Sequence, residues 1–458
     1  MKKVTNKVLW IFAVGQLGWS MLSGIIVNWL VFFYQPNEET VAAGQMLFIP
    51  QGAIFLGVTV IGLIAAVGRI FDAVTDPWVA SLSDRCTHKL GRRIPFLRGA
   101  AVPLGIVTVL MFMSPVNGVS KVNSFCLLIC SLLFYLFLTL YCTPFNALIP
   151  VLGRTQKDRV NLSTFISITY FLGTASAYLL PNIAASFESS FGYVGSRRIT
   201  IAILSAIAVV FMLVPAFAIK EKDYDNSVPV KTTAFKSLIK TFRNKQFQSF
   251  VKSDVLYWIA LTIFQTGLPF YITSLMKLDS GMTFLLFAIM TITSLIFYAP
   301  VNILSRKTGK RKLVLFAFFF FSAVFLLTAF CGTMGISGMI WGVLISVLAA
   351  IPMAILGILP QAIVADISEY DSLETGENRE GMFYAARTFA FKLGQSVAML
   401  IFTTVALIGR NGMGYRLSAV IAAVFCLIGG IALLGYNEKL VYSKIIRHEE
   451  KAEENAKD

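Results

Sequence analysis

The chain has 458 residues, 57% of them hydrophobic and 14% charged. A soluble domain carries about a quarter charged residues, so a water-soluble globular protein is excluded. The formal charge of +15 does not point to nucleic acid, because the basic residues collect in alternate segments between apolar runs instead of forming one patch.

In chain order, Lys2, Lys3 and Lys7 precede an apolar run that is too long for a signal-peptide core and has no small-residue cleavage pattern, so it reads as the first span. Runs of about 20 apolar residues suffice to cross a bilayer. They predict twelve spans at 8–34, 52–82, 95–114, 124–150, 162–185, 198–219, 249–275, 280–303, 312–333, 338–366, 381–408 and 414–437. Basic residues fall after span two (Arg85, Lys89, Arg92, Arg93, Arg98), after span four (Arg154, Lys157, Arg159) and between Lys220 and Lys252. They recur after span eight (Arg306, Lys307, Lys310, Arg311, Lys312) and from Lys439 onward. The positive-inside rule then places both termini in the cytoplasm of a multi-pass plasma (inner) membrane protein. Anionic lipid accounts for the basic face.

The organisation expected is an N-terminal six-helix bundle (1–219), a cytoplasmic linker (220–249), a C-terminal six-helix bundle (250–437) and a tail (438–458). Thr233 to Phe250 fits either an amphipathic surface helix or a solvated linker. A basic turn recurs after the second helix of each half, as Gly91-Arg92-Arg93 and as Gly309-Lys310-Arg311. Cys86, Cys126, Cys130, Cys142, Cys331 and Cys426 lie mostly in apolar stretches without metal or disulfide spacing and read as small buried hydrophobes.

Charges inside spans are costly, about 2.5 to 3.5 kcal/mol each at a helix centre, and therefore informative. Arg69, Asp72 and Asp76 share one stripe of span two, with the two acids one turn apart. A structural ion pair would use Arg69 and one acid but leave the second carboxylate without an evident partner, and a surplus carboxylate in a bilayer calls for a cation or a proton. In span eleven, Arg387 and Lys392 point in different directions. Lys392 is expected to face the cavity and to interact with the span-two acids, and Arg387 to snorkel toward the cytoplasm.

Arg69-Ile-Phe-Asp72-Ala-Val-Thr75-Asp76-Pro77 with Gly91-Arg92-Arg93-Ile94-Pro95-Phe96 resembles the helix-two signature of the glycoside-pentoside-hexuronide:cation symporter family. Pro144-Phe145-Asn146-Ala147-Leu148-Ile149-Pro150 is similar to the family's helix-four end. Ala365-Asp366-Ile367-Ser368-Glu369-Tyr370, continuing through Arg379-Glu380-Gly381 and Tyr384 to Lys392-Leu393-Gly394, is similar to its span ten to eleven region. The resemblance implies the major facilitator fold: an all-α membrane protein of twelve transmembrane helices in two pseudo-symmetric six-helix bundles.

It also implies that Asp72 and Asp76 bind the coupling Na+, H+ or Li+, with Thr75 and Thr139 beside them. Thr75 replaces the family's polar amide, and Cys142 stands where the family has a third acid. On the solute side Ser20, Ser167, Asn146 and Gly357 replace the galactoside-binding groups of the melibiose permease. Trp19, Ser20, Asn146, Cys142, Thr388 and Lys392 are the solute candidates, with Gln16, Asn28 and Ser163 as further polar groups near them. The function expected is cation-coupled uptake of a sugar, glycoside or uronide by a monomeric unit, with no cofactor other than the coupling cation and no nucleic-acid partner. The alternative is a lysolipid or other amphiphile:Na+ symporter of the same fold. An enzyme is not expected, since His88 and His448 lie in a loop and the tail, and a channel lacks any filter-like loop.

Overall fold

The computed structural model describes residues 4–55, 57–153, 155–224, 234–333, 335–376, 379–409 and 411–455. Lys2, Lys3, Arg154, Arg410 and linker positions 225–233, with Asn226 among them, lie outside the described residues. Nine helices among the described residues are long and apolar enough to cross a membrane. Three spans escape that count for physical reasons. Span two, Val60–Asp84, is diluted by its own charges. Span three, Ile94–Leu110, has only 17 residues. Spans five and six run together, because the helix Gln156–Tyr178 is followed at once by Leu180–Ala218, whose backbone breaks at Gly192 with φ 66° and ψ 178°.

The other spans are Asn6–Tyr34, Lys121–Leu152, Lys245–Phe270, Met282–Thr308, Lys310–Ala329, Gly338–Thr375, Glu380–Val405 and Met413–Leu433. The twelve-span expectation therefore holds. One local difference is that residues 52–59 do not begin span two. Gly52 and Gly57 adopt φ +89° and +82°, conformations that break a helix, and Ala53–Phe55 pairs antiparallel with Val58–Thr59 as a small hairpin. In the linker, a short helix Ala234–Phe242 ends before Asn244, whose side chain accepts from Gln246 and Phe247 N–H and caps span seven.

The repeat between the halves is visible in the helix ends. Four N–H groups at a helix start lack internal partners, and in both halves a glutamate after the sixth span supplies the acceptor for the third. Glu221 accepts from the backbone N–H of Arg93 at 2.7 Å and Ile94 at 3.2 Å. Glu438 does the same for Lys310 at 2.7 Å and Arg311 at 3.2 Å. Gly91 and Gly309 precede these starts with φ +116° and +89°. A Cβ there would lie 2.3 Å and 2.9 Å from the two carboxylates, so the recurrent glycine leaves room for the cap. At the opposite ends of the same third helices, Arg198 donates to the Phe112 carbonyl at 2.9 Å and Arg416 to the Ala329 carbonyl at 2.6 Å. A cation there complements the negative helix terminus.

The chain divides into two compact units. The first comprises Met1–Thr232, Gln265–Leu285 and Met399–Ile408. Within it span one packs on spans five and six, with the Trp10 ring stacked on Phe165 of span five at 4.1 Å, and its Phe12 ring stacks on Phe145 of span four at 4.1 Å. Its two short segments are held by the stretch after span one. Asn37 Nδ2 donates to Thr273 at 2.8 Å and Ser274 at 2.6 Å, and Gln35 Nε2 donates to the Thr403 carbonyl at 2.9 Å. Glu39 accepts from Ser274 and from Lys277. Tyr271–Leu275, which carries Thr273 and Ser274, is a π-helical turn. The second unit comprises Thr233–Phe264, Leu286–Ala398 and Gly409–Asp458. Its helices are tied by Ser253 to the Gly429 carbonyl at 2.8 Å and by Lys310 to Asp366 at 2.6 Å.

Candidate functional site

Asp72 and Asp76 stand one turn apart on span two, and span four answers with Thr139 and Thr143 at the same spacing. Two rungs join the helices inside the first unit. Thr139 Oγ1 donates to Asp72 Oδ1 at 2.8 Å, and Thr143 Oγ1 donates to Asp76 Oδ1 at 3.3 Å. Thr75 Oγ1 is 3.4 Å from Thr139 Oγ1 and donates to the Phe71 and Asp72 carbonyls at 2.9 and 3.1 Å. Asp72 is 2% exposed whereas Asp76 is half-buried, so the second rung is the more accessible one.

Pro77 and Pro144 each follow the second rung directly. Neither has an N–H to offer the carbonyl four residues back, at Ala73 and Leu140, which weakens both helices at this level. Every donor at the rungs is a hard oxygen, the type that alkali and alkaline-earth cations take. Among the described residues no cluster of three or more His, Cys, Asp and Glu exists; the acidic groups at the rungs are Asp72 and Asp76, and Arg69 stands one turn away on the same stripe.

Arg69 is 7% exposed. Its guanidinium lies 5.3 Å from the centre of the Tyr135 ring, and its Nε is buried without a hydrogen-bond partner. A cation over an aromatic face is stabilised by about 0.5 to 2 kcal/mol. Arg69 thus brings positive charge to the stripe while its hydrogen-bonding capacity is only partly used.

The solute candidates of the first unit are placed unevenly. Trp19 is half-buried with its indole Nε1 unpartnered. Asn146 and Ser163 are exposed and Cys142 is half-buried. Ser20 is 2% exposed, donates to the Leu17 carbonyl at 3.1 Å and packs on Gly173, where a Cβ would come within 2.0 Å of its hydroxyl. Gln16 is buried, and Asn28 accepts from the Tyr178 hydroxyl at 3.1 Å. In the second unit Thr388 and Lys392 are half-buried on span eleven.

Arg387 does not snorkel. It is 8% exposed, and its Nε and Nη2 each donate at 2.8 Å to the carboxylate of Asp254 on span seven. A partner of the right charge on the neighbouring helix removes the reason to reach for water. Phe391, next to Lys392, stacks on Trp258 at 4.5 Å. Reading the sequence missed Asp254 and Thr143. The first was signalled by a charge inside an apolar span, the second by a hydroxyl four residues after Thr139, repeating the spacing of the acids.

The family model for MFS/sugar transport proteins matches residues 11–436, nearly the whole chain. The chain belongs to the glycoside-pentoside-hexuronide:cation symporter family of the major facilitator superfamily. This symporter is 26% identical over 383 residues to the uncharacterised symporter YjmB of Bacillus subtilis (strain 168), covering 81% of this chain and 79% of the relative. It is 30% identical over 202 residues to the putative glycoside/cation symporter YagG of Escherichia coli (strain K12), covering 42% of each. The crystal structure of the nucleoside transporter NupG matches the symporter's fold with a TM-score of 0.66 at 14% identity, over 94% of this chain and 98% of that one. The symporter is a multi-pass membrane transporter and not an enzyme.

Proposed function

We propose that the protein couples the entry of a monovalent cation, Na+ or H+, to uptake of a saccharide by alternating access, with both termini in the cytoplasm. The observation that carries this reading is the pair of rungs, Asp72 with Thr139 and Asp76 with Thr143, which puts two carboxylates and two hydroxyls on facing helices of a membrane protein. Two carboxylates a turn apart in a medium of low dielectric repel each other strongly. A cation between them removes that repulsion and draws span two to span four. Thr75 and Arg69 complete the surroundings. Membership of a symporter family and the name of the relative YagG support a glycoside or related sugar as cargo.

The energetics suffice. One monovalent cation crossing about 100 mV releases about 2.3 kcal/mol, and a tenfold gradient adds about 1.4 kcal/mol. Together these drive accumulation of several hundredfold at one-to-one stoichiometry. The test is uptake into proteoliposomes of a panel of labelled glycosides, pentosides and uronides, with and without Na+ and a pH gradient. Concentrative uptake that requires one of the cations in the unaltered protein, and is lost in Asp76→Asn with exchange retained, is expected. Concentrative, cation-dependent uptake by both Asp72→Asn and Asp76→Asn would overturn the assignment.

A further inference from the structure

Spans seven and eleven each change unit along their length. Span seven belongs to the second unit up to Phe264 and to the first from Gln265, and span eleven to the second up to Ala398 and to the first from Met399. Their last turns are therefore part of the first unit, and the stretch that follows span one is attached to both at irregularities of their backbones. Past the end of span eleven, the N–H groups of Ala406 and Leu407 bond the carbonyls of Phe402 and Thr404, at 2.9 and 3.3 Å. The Thr403 carbonyl between them is passed over, and Gln35 Nε2 donates to it at 2.9 Å. In span seven Pro269 has no N–H to give the carbonyl of Gln265, so the helix is weakened where it enters the first unit. Tyr271–Leu275 follows as a π-helical turn, with the Met276 N–H on the Tyr271 carbonyl at 2.9 Å. Such turns are rare and frequently mark functional sites. Lys277 then adopts φ 55°, a conformation that few non-glycine residues take and that persists only where the surroundings impose it.

Asn37 works in two directions at once. Its Oδ1 accepts from the Thr40 N–H at 3.0 Å and caps the short helix Glu38–Ala42, while its Nδ2 donates to the hydroxyls of Thr273 and Ser274 in the π-helical turn, at 2.8 and 2.6 Å. Ser274 and Lys277 in turn donate to Glu39, at 3.1 and 2.5 Å. The buried Phe270 ring packs on both Phe32 and Phe402, with centres 4.9 and 5.5 Å away. Polar contacts of this kind suit a joint that is made and broken. Neutral hydrogen bonds exchange for bonds to water at small net cost, and the Glu39 and Lys277 side chains are already partly exposed. One group gains by parting: Gln35 Oε1 is buried without a hydrogen-bond partner, which water would supply.

We infer that residues 35–39 are a latch. Gln35, Asn37 and Glu39 hold the last turns of spans seven and eleven on the first unit, and their release lets span seven bend at Pro269 and opens the solute path on the side opposite the termini. The π-helical turn is the catch that Asn37 engages. The inference rests on the alternating-access reading given above.

Two measurements on the full-length protein in liposomes test it. In a background with the six native cysteines replaced, spin labels at Val41→Cys and Leu407→Cys, positions 41% and 38% exposed, report by pulsed electron resonance the separation of the latch helix from the end of span eleven, with no solute needed. Asn37→Asp keeps the cap, because a carboxylate still accepts from the Thr40 N–H, but it has no N–H to give Thr273 and Ser274. It is expected to raise the ratio of long to short separations at least about fivefold. Thr273→Val with Ser274→Ala removes both hydroxyls and leaves Asn37 in place, and should do the same. A distance distribution equal to that of the labelled parent, in whichever of these variants folds, overturns the inference, and so does a merely capping role for Asn37, which Asn37→Asp would leave untouched. The second measurement fastens the latch. Asn37→Cys with Ser274→Cys, bridged by a short bis-methanethiosulfonate, should stop cation-driven uptake, and reduction should restore it. Full uptake with the bridge in place refutes the latch. If the unaltered protein takes up none of the sugars, the saccharide reading fails, while the distance measurement still decides the latch by itself.

Discussion

Replacing Arg387 with methionine tests how the second unit carries charge through the membrane. The Asp254 and Arg387 side chains are 2% and 9% exposed, and two bonds of 2.8 Å join them. Methionine keeps much of the volume but leaves the carboxylate buried and alone. Breaking a buried pair from one side costs about 3 to 5 kcal/mol, on the order of a thousandfold in the ratio of folded to unfolded protein. Removing both charges, as in Asp254→Val with Arg387→Met, leaves nothing unpaired, and such replacements are often neutral.

The assay is the monodisperse fraction remaining after a temperature series in detergent, followed by transport per folded molecule in liposomes. The single Arg387 variant should lose much of its stability, and the double variant should recover most of it. Lys392→Ala, at a half-buried position, should reduce transport per folded molecule more than Arg387→Ala does. An Arg387→Met protein as stable as the unaltered one, or a double variant no better than the single, would refute the reasoning.

Glu39 offers a pH test outside the membrane spans. Burial alone would raise its carboxyl, but hydrogen bonds from Lys277, its own backbone and Ser274, with the Lys277 charge, hold it below its ordinary value of 4.5. A lowered folded value means the stabilisation is present above that ordinary value and lost as pH falls through the folded one. Because both partners are partly exposed, 67% and 41%, the pair contributes no more than about 1 kcal/mol. Glu39→Gln should therefore differ slightly from the unaltered protein in melting temperature at pH 7 and converge with it below about pH 4.5; a gap that widens in acid contradicts this. The two helix caps make an internal control. Glu221→Ala and Glu438→Ala should each destabilise by about 1 to 3 kcal/mol, with the fully buried Glu221 the costlier, and equal tolerance of both in thermal melts would show that the repeat is not structural. Thr143→Val removes one rung and should weaken Na+-dependent thermal stabilisation severalfold while Thr143→Ser restores it, provided Na+ is the coupling ion. Tags at the N-terminus, at the C-terminus and near Asn226 should all be reached only from the cytoplasmic side, and external proteolysis of any of them would contradict the proposed orientation.

The sequence alone determined that this is a membrane protein of twelve spans in two related halves, because span length and apolarity are local properties set by bilayer thickness. It also exposed Asp72 and Asp76 as a shared stripe, since helical periodicity is written into residue spacing. What it could not decide was which helix faces which. Asp254 and Arg387 are 133 residues apart, and only packing of span eleven on span seven turned an expected snorkelling cation into half of a buried pair. Thr143 became part of the site through the register of span four against span two, and Ser20 was turned against Gly173 by the rotation of span one. The repeated basic turn was legible, whereas its acceptor, a glutamate more than a hundred residues later, was not. Each of these depends on relative rotation and register of helices, and the energy that sets them comes from contacts between residues distant in the chain, which no local pattern records.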